Sequence, residues 1–188
     1  MKRYYLVTFI FISITAITLL AMGRGEELEM RETPLTAGMK APDFKAPSTE
    51  GKEIALKDLK GKIIVLYFYP KDDTPGCTKQ ACGLRDINQE LQDLGVVVLG
   101  VSLDSIKSHE SFREKYNLNF PLLSDPEGEI LMAYGVWKGK GIIGSTAFGV
   151  KRSTFIIDGE GIVRQAWYGV NVSSHAEDVL KAVKELKK

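Results

Sequence analysis

Cysteine and histidine are scarce in this 188-residue chain, which has two of each. Two cysteines are too few for a disulfide-built scaffold. His109 and His175, far from both cysteines in sequence, are too few for a zinc site, so each reads as a surface residue. An excess of charge is also missing: 25 Lys and Arg face 24 Asp and Glu, a formal net charge of +1. Without Lys2 and Arg3 the rest of the chain is slightly acidic, which leaves no concentrated basic face for nucleic acid. The lysine-rich end KAVKELKK reads as the solvated face of a last helix. Internal repeats and low-complexity stretches are absent too, and the length suits one compact domain plus a tail. What remains as a chemical signal is a pair of cysteines, Cys77 and Cys82, five positions apart.

The first 23 residues differ from the rest. Met1-Lys2-Arg3 precedes Tyr4 to Met22, a run without charge, and the acidic stretch RGEELEMRE follows. Such a segment reads as a membrane-targeting element, either a signal peptide cleaved after Gly23 or an uncleaved anchor held in the membrane. The competing reading is a buried helix of the domain. No cysteine lies near position 22, which excludes a lipid-anchored form. Positive charge before the run and acid after it place the folded domain on the far side of the membrane, an extracytoplasmic location in the periplasm or cell envelope. Residues 24–36 read as a polar linker and 37–188 as the domain, with Ala41-Pro42-Asp43-Phe44 near its start.

Within the domain, KIIVLYFY at 62–69 is a continuous apolar and β-branched run of strand length, suited to a strand buried on both faces. Helical spacing of Leu84, Ile87, Leu91 and Leu94 predicts a helix over 77–94 closed by Gly95, and VVVLGV at 96–101 predicts a second buried strand. A helix over 105–116 starts at the N-cap candidate Ser105, with Ile106, His109, Phe112 and Tyr116 near one face. Strands at 153–157 and 161–167 flank the turn signal Asp158-Gly159, and a final helix begins near Ser174. This order implies an α/β domain of thioredoxin-like layout, a mixed β-sheet with helices on both faces.

Cys77 falls at the junction between the first buried strand and the first turn of the following helix. There, unpaired N–H groups and the positive end of the helix dipole favour an anion. A thiol attacks only as thiolate, and a free cysteine with a pKa of about 8.5 is mostly protonated at neutral pH, so this position matters. Pro75-Gly76 suits the turn, since proline fixes one torsion and glycine lets the backbone come close.

Pro70, Thr74 and Cys77 stand at the spacing Pro-x-x-x-Thr-x-x-Cys, and here the chain resembles the peroxiredoxins. The resemblance runs over about 38–186, through GMKAPDF, SDPEGEILMAYGVW and RSTFIID, and is nearest to the bacterioferritin comigratory protein (PrxQ) subfamily of atypical two-cysteine type. It implies a peroxiredoxin enzyme in which Cys77 is the peroxidatic cysteine. Thr74 would donate its hydroxyl to the thiolate and peroxide, Pro70 would shield the pocket from water, and Arg152 would hold a cation beside the sulfur. Lys151 is the competing cation. Gln80 departs from the glutamate this subfamily more often carries there; the thiol chemistry is left in place, and any role of that carboxylate in the pocket or helix cap is removed.

Attack on a peroxide leaves a sulfenic acid that a second thiol can capture. Cys82 is the only other thiol and so the candidate resolving cysteine, forming an intramolecular Cys77–Cys82 disulfide; the competing reading is a small buried apolar residue. Five residues along an ideal helix put the two Cα atoms about 8–9 Å apart, and a disulfide rarely spans more than about 7 Å, so the helix has to unwind locally. Expected partners are hydrogen peroxide or organic hydroperoxides and a thioredoxin-like or other dithiol reductant, with no metal or other cofactor. The subfamily resemblance implies a monomer. An extracytoplasmic thiol-disulfide exchange protein is the alternative, disfavoured by the lack of Cys-x-x-Cys, and a non-catalytic domain is a third. Trp137, Phe148 and the stretch 139–149 are candidates for lining the pocket entrance, with plain packing as the competing reading.

Overall fold

Strand β3, Ile63–Phe68, is apolar on both faces because it lies in the middle of a five-stranded sheet. On one side it pairs in parallel with β4 (Val96–Ser102), which pairs in parallel with β5 (Leu122–Ser124). On the other side it pairs antiparallel with β6 (Ser153–Ile157), which forms an antiparallel hairpin with β7 (Val163–Tyr168). A short antiparallel pair, β1 (Lys45–Pro47) and β2 (Glu53–Ala55), precedes the sheet and leads into a 3₁₀ turn at Leu56–Leu59. The structure is a computed structural model of the chain and describes residues 34–137 and 149–188. The targeting segment at 1–23, most of the linker at 24–36, and Phe148 lie outside the described residues. Among those that are described, no helix is long and apolar enough to cross a membrane.

Alternation along the strands sends side chains to two separate cores. Ile64, Leu66 and Phe68 face a core with α3 (Glu129–Ala133) and the segment before the sheet; Val65, Tyr67 and Tyr69 face one built with α1 (Pro75–Asp93), α2 (Ile106–Lys115) and α4 (His175–Leu186). Helices therefore cover both faces, as the order of elements predicts. Gly95, with φ of +74°, ends α1, and the Ser105 side chain accepts from Ser108 N–H to cap α2.

Three expectations change, the linker boundary and the placement of each histidine. Leu35, assigned from sequence to the linker, is fully buried, and its N–H donates to Tyr168 Oη at 2.8 Å, so the packed domain begins before residue 37. His109 and His175, expected on the surface, are 0% and 3% exposed. For His109 the signal was its place on the apolar stripe with Phe112. Trp137 is packed into the α3 core with its ring against Gly128, the packing reading of the two that the sequence offers. Finally, β5 and α3 carry no long periodic run and were not legible from pattern alone.

Candidate active site

The first turn of α1 builds the site. Thr74 occupies the N-cap position in extended conformation and Pro75 the first helical position, where its missing N–H costs nothing. The first helical bond runs from Thr78 N–H to the Thr74 carbonyl (2.8 Å), so the N–H groups of Gly76 and Cys77 lie ahead of it, at the positive end of the helix. Cys77 is 2% exposed, and both cysteines are free thiols on one continuous helix.

Arg152 comes to this thiol from the residue before β6. Its Nη2 is 3.3 Å from Cys77 Sγ, and its Nη1 donates to Gln80 Oε1 in a short hydrogen bond. Gly76 leaves room for this approach: a Cβ there would sit 3.3 Å from Arg152 Nη2, a tight contact. Lys151, the competing cation, is exposed and lies over the Tyr168 ring instead. Cys82 is half-buried, with Arg85 Nη1 at 3.6 Å from its sulfur. The Thr74 hydroxyl donates to the Lys71 carbonyl oxygen at 3.0 Å rather than to Cys77, and Pro70 sits half-buried at the start of the loop. Cys77, Arg152 and Gln80 are thus brought into one hydrogen-bonded group, while Thr74 is turned toward its own loop.

Two buried histidines, missed by sequence reasoning, hold the surroundings in place. His109 Nδ1 is 2.8 Å from Asp72 Oδ2, and its Nε2 is 3.1 Å from the Leu123 carbonyl, which requires a proton on Nε2. Asp72 also accepts from Tyr69 Oη (2.7 Å) and Ser108 Oγ (2.7 Å), and its N–H donates to Asp104. Burial pushes the Tyr69 phenol well above its usual range, so it stays a donor. Next along the loop, Asp73 takes a positive φ of 55° and is held by Lys115 Nζ and Tyr116 Oη. Lys115, ahead of Tyr116, keeps the Asp73 carboxyl below its usual value. On the other side, His175 Nδ1 is 3.3 Å from Gln80 Nε2, and His175 Nε2 is 2.9 Å from Thr154 Oγ1. Burial lowers His175 to about 4, with Asp178 opposing and Arg152 adding to the effect, so this ring is neutral at neutral pH.

Among the described residues, no group of three or more His, Cys, Asp or Glu side chains could hold a metal ion. What the arrangement offers is a buried sulfur flanked by a helix N-terminus and a guanidinium, with a second thiol further along the same helix.

The AhpC/TSA family matches residues 37–166. A putative Bcp peroxiredoxin of Coxiella burnetii is 51% identical over 146 residues, covering 78% of this chain and 97% of that protein. The peroxiredoxin Bcp of Bacillus subtilis is 46% identical over 149 residues, covering 79% and 95%. The solved structure of Xanthomonas campestris peroxiredoxin Q is similar with a TM-score of 0.71 and 40% identity, covering 77% of this chain and 92% of that one. These relatives correct the extracytoplasmic placement. The matched domain fills 97% and 95% of the two Bcp proteins, which leaves them no room for a segment like 1–33, so the domain brings no envelope location with it. An apolar run flanked by charge, at 4–22, suggested that location. Motif, fold and relatives agree: the chain belongs to the AhpC/TSA family, in its bacterioferritin comigratory protein (PrxQ) branch, and is a peroxiredoxin, a thiol peroxidase.

Proposed function

We propose that Cys77 is the peroxidatic cysteine and Cys82 the resolving one, in a cycle that reduces hydrogen peroxide and organic hydroperoxides. The Cys77 thiolate attacks the terminal oxygen of ROOH, the O–O bond breaks, and ROH leaves with a proton while Cys77 becomes a sulfenic acid. The observation that carries this reading is the Arg152 guanidinium 3.3 Å from a buried Sγ at a helix N-terminus. That cation and the N–H groups of the first turn stabilise charge on the sulfur and then on the departing oxygen. Thr74 and Pro70 complete the pocket, with the Thr74 hydroxyl rotating from the Lys71 carbonyl to the peroxide when substrate enters. An organic peroxide as substrate is in keeping with a solved relative 39% identical to this chain, the Xanthomonas campestris bacterioferritin comigratory protein, which is described as having alkyl peroxide reduction activity.

Cys82 then attacks the sulfenic sulfur, releasing water and forming the Cys77–Cys82 disulfide, which a thioredoxin-like dithiol reduces by exchange. Residues 77–82 unwind for this step, since an intact helix keeps the Cα atoms about 8–9 Å apart. The working unit is a monomer, and its catalytic domain is 37–188 extended at its start to take in the buried Leu35. Peroxide consumption with a dithiol reductant tests the reading. Cys77→Ser should lose activity on the order of a thousandfold or more. Cys82→Ser should still oxidise once per chain and then accumulate sulfenic or sulfinic acid. Thiol-disulfide exchange without peroxide consumption would contradict it.

A further inference from the structure

Gln80 lies three residues after Cys77 and is 1% exposed, and both ends of its amide are engaged. Because Oε1 accepts from Arg152 Nη1, the orientation of the amide is fixed, and Nε2 faces His175 Nδ1 at 3.3 Å. An amide nitrogen only donates, so Nδ1 is the unprotonated nitrogen and the Nε2–H of His175 donates to Thr154 Oγ1. The chain Cys77–Arg152–Gln80–His175–Thr154 therefore ties the second turn of α1 to α4 and β6.

We propose that the Gln80 amide is a latch that closes α1 for the peroxide step and must open before the disulfide can form. The proposal rests on the Cys77–Cys82 cycle given above. Gln80 stands between the two cysteines, so unwinding that brings Cys82 to Cys77 has to break both of its bonds. The same side chain that orients Arg152 toward the sulfur thus sets the cost of the following step, in which Cys77–SOH and HS–Cys82 give Cys77–S–S–Cys82 and water. With glutamine, Nδ1 of His175 accepts and its Nε2–H donates; a glutamate here would require the other tautomer, with Nδ1–H donating to the carboxylate and Nε2 accepting from the Thr154 hydroxyl. Beyond Cys82 the helix is fastened differently. Arg85 Nη1 donates to the Tyr116 carbonyl (2.8 Å), Asn119 Nδ2 to the Arg85 carbonyl (3.2 Å), and Asn88 Nδ2 to the Asn119 carbonyl (3.0 Å). Unwinding that starts at the latch therefore stops at Arg85.

Rapid-quench mass spectrometry of the full chain with hydrogen peroxide follows both steps, Cys77 oxidation and disulfide formation. His175→Leu removes the acceptor for Gln80 Nε2 and leaves the Arg152 bond, so the ratio of disulfide rate to oxidation rate should rise roughly five- to tenfold, the effect of one buried hydrogen bond. His175→Asn, whose Oδ1 stands near the former Nδ1, should restore the wild-type ratio. Gln80→Leu should speed the disulfide step and slow oxidation, since Arg152 loses its acceptor. An unchanged ratio in His175→Leu, or equal changes in the Leu and Asn variants, overturns the latch while leaving the cycle intact. A wild-type protein that forms no Cys77–Cys82 disulfide overturns the cycle and the latch with it.

Discussion

Two stretches flank Cys77 and are held in opposite ways. The loop at 70–74 is riveted to α2: Asp72 meets His109, Tyr69 and Ser108, and Asp73 meets Lys115 and Tyr116. The turns of α1 that follow have few side-chain hydrogen bonds to the rest of the fold, those of the Gln80 amide, Arg152 on Cys77 and one exposed bond from Lys79 to Ser173, beside the apolar packing of Ala81 and Leu84. The loop includes an aspartate at positive φ, a conformation that persists only where the surroundings impose it. The helix turns are ordinary backbone and can come apart and reform. The difference fits the proposed cycle, in which the pocket wall stays put while the segment carrying the sulfur unwinds.

The comparison can be broken from the rigid side first. Asp72→Ala leaves Tyr69 Oη, Ser108 Oγ and His109 Nδ1 without their shared carboxylate and should cost at least about 3 kcal/mol of stability in denaturant unfolding, as stripping several partners in a buried hydrogen-bond network does. On the mobile side, Arg152→Met takes the cation from Cys77 and should lower the rate of peroxide reaction by about a hundredfold, with the fold retained by circular dichroism. His175 gives a pH test. Its folded value of about 4 lies below the ordinary 6.5, so the unfolded chain binds the extra proton more readily. The stability it contributes is full above about pH 6.5 and is lost as pH falls toward 4, about 3 kcal/mol in all. Unfolding measured across that window should show the slope, and His175→Asn should flatten it. The smallest effect belongs to Ser105→Ala, which removes the α2 cap and should cost about 1 kcal/mol without changing the peroxide rate.

The long elements were legible because their patterns are strong. An apolar run at 63–68 has room only in the centre of a sheet, and Ser105 and Gly95 mark helix ends by chemistry that acts locally. Cys77 and Arg152 were legible through the spacing of a motif and through resemblance. His109 and His175 were not, because a buried histidine is explained by partners distant in sequence: Asp72 lies 37 residues from His109, and Gln80 lies 95 from His175. Gln80 was visible as a departure from the subfamily, but its meaning depends on a ring contributed by the last helix. The short strand β5 and helix α3 escaped for a simpler reason, since three and five residues are too few to show a period.

Amide hydrogen exchange on the reduced and the peroxide-oxidised protein, read by peptide mass spectrometry, addresses the central claim most directly. In the oxidised form carrying a Cys77–Cys82 disulfide, protection should be lost over 78–84 and kept in α2 and from Arg85 onward. Full protection across 78–84 in protein shown to carry that disulfide would contradict the account.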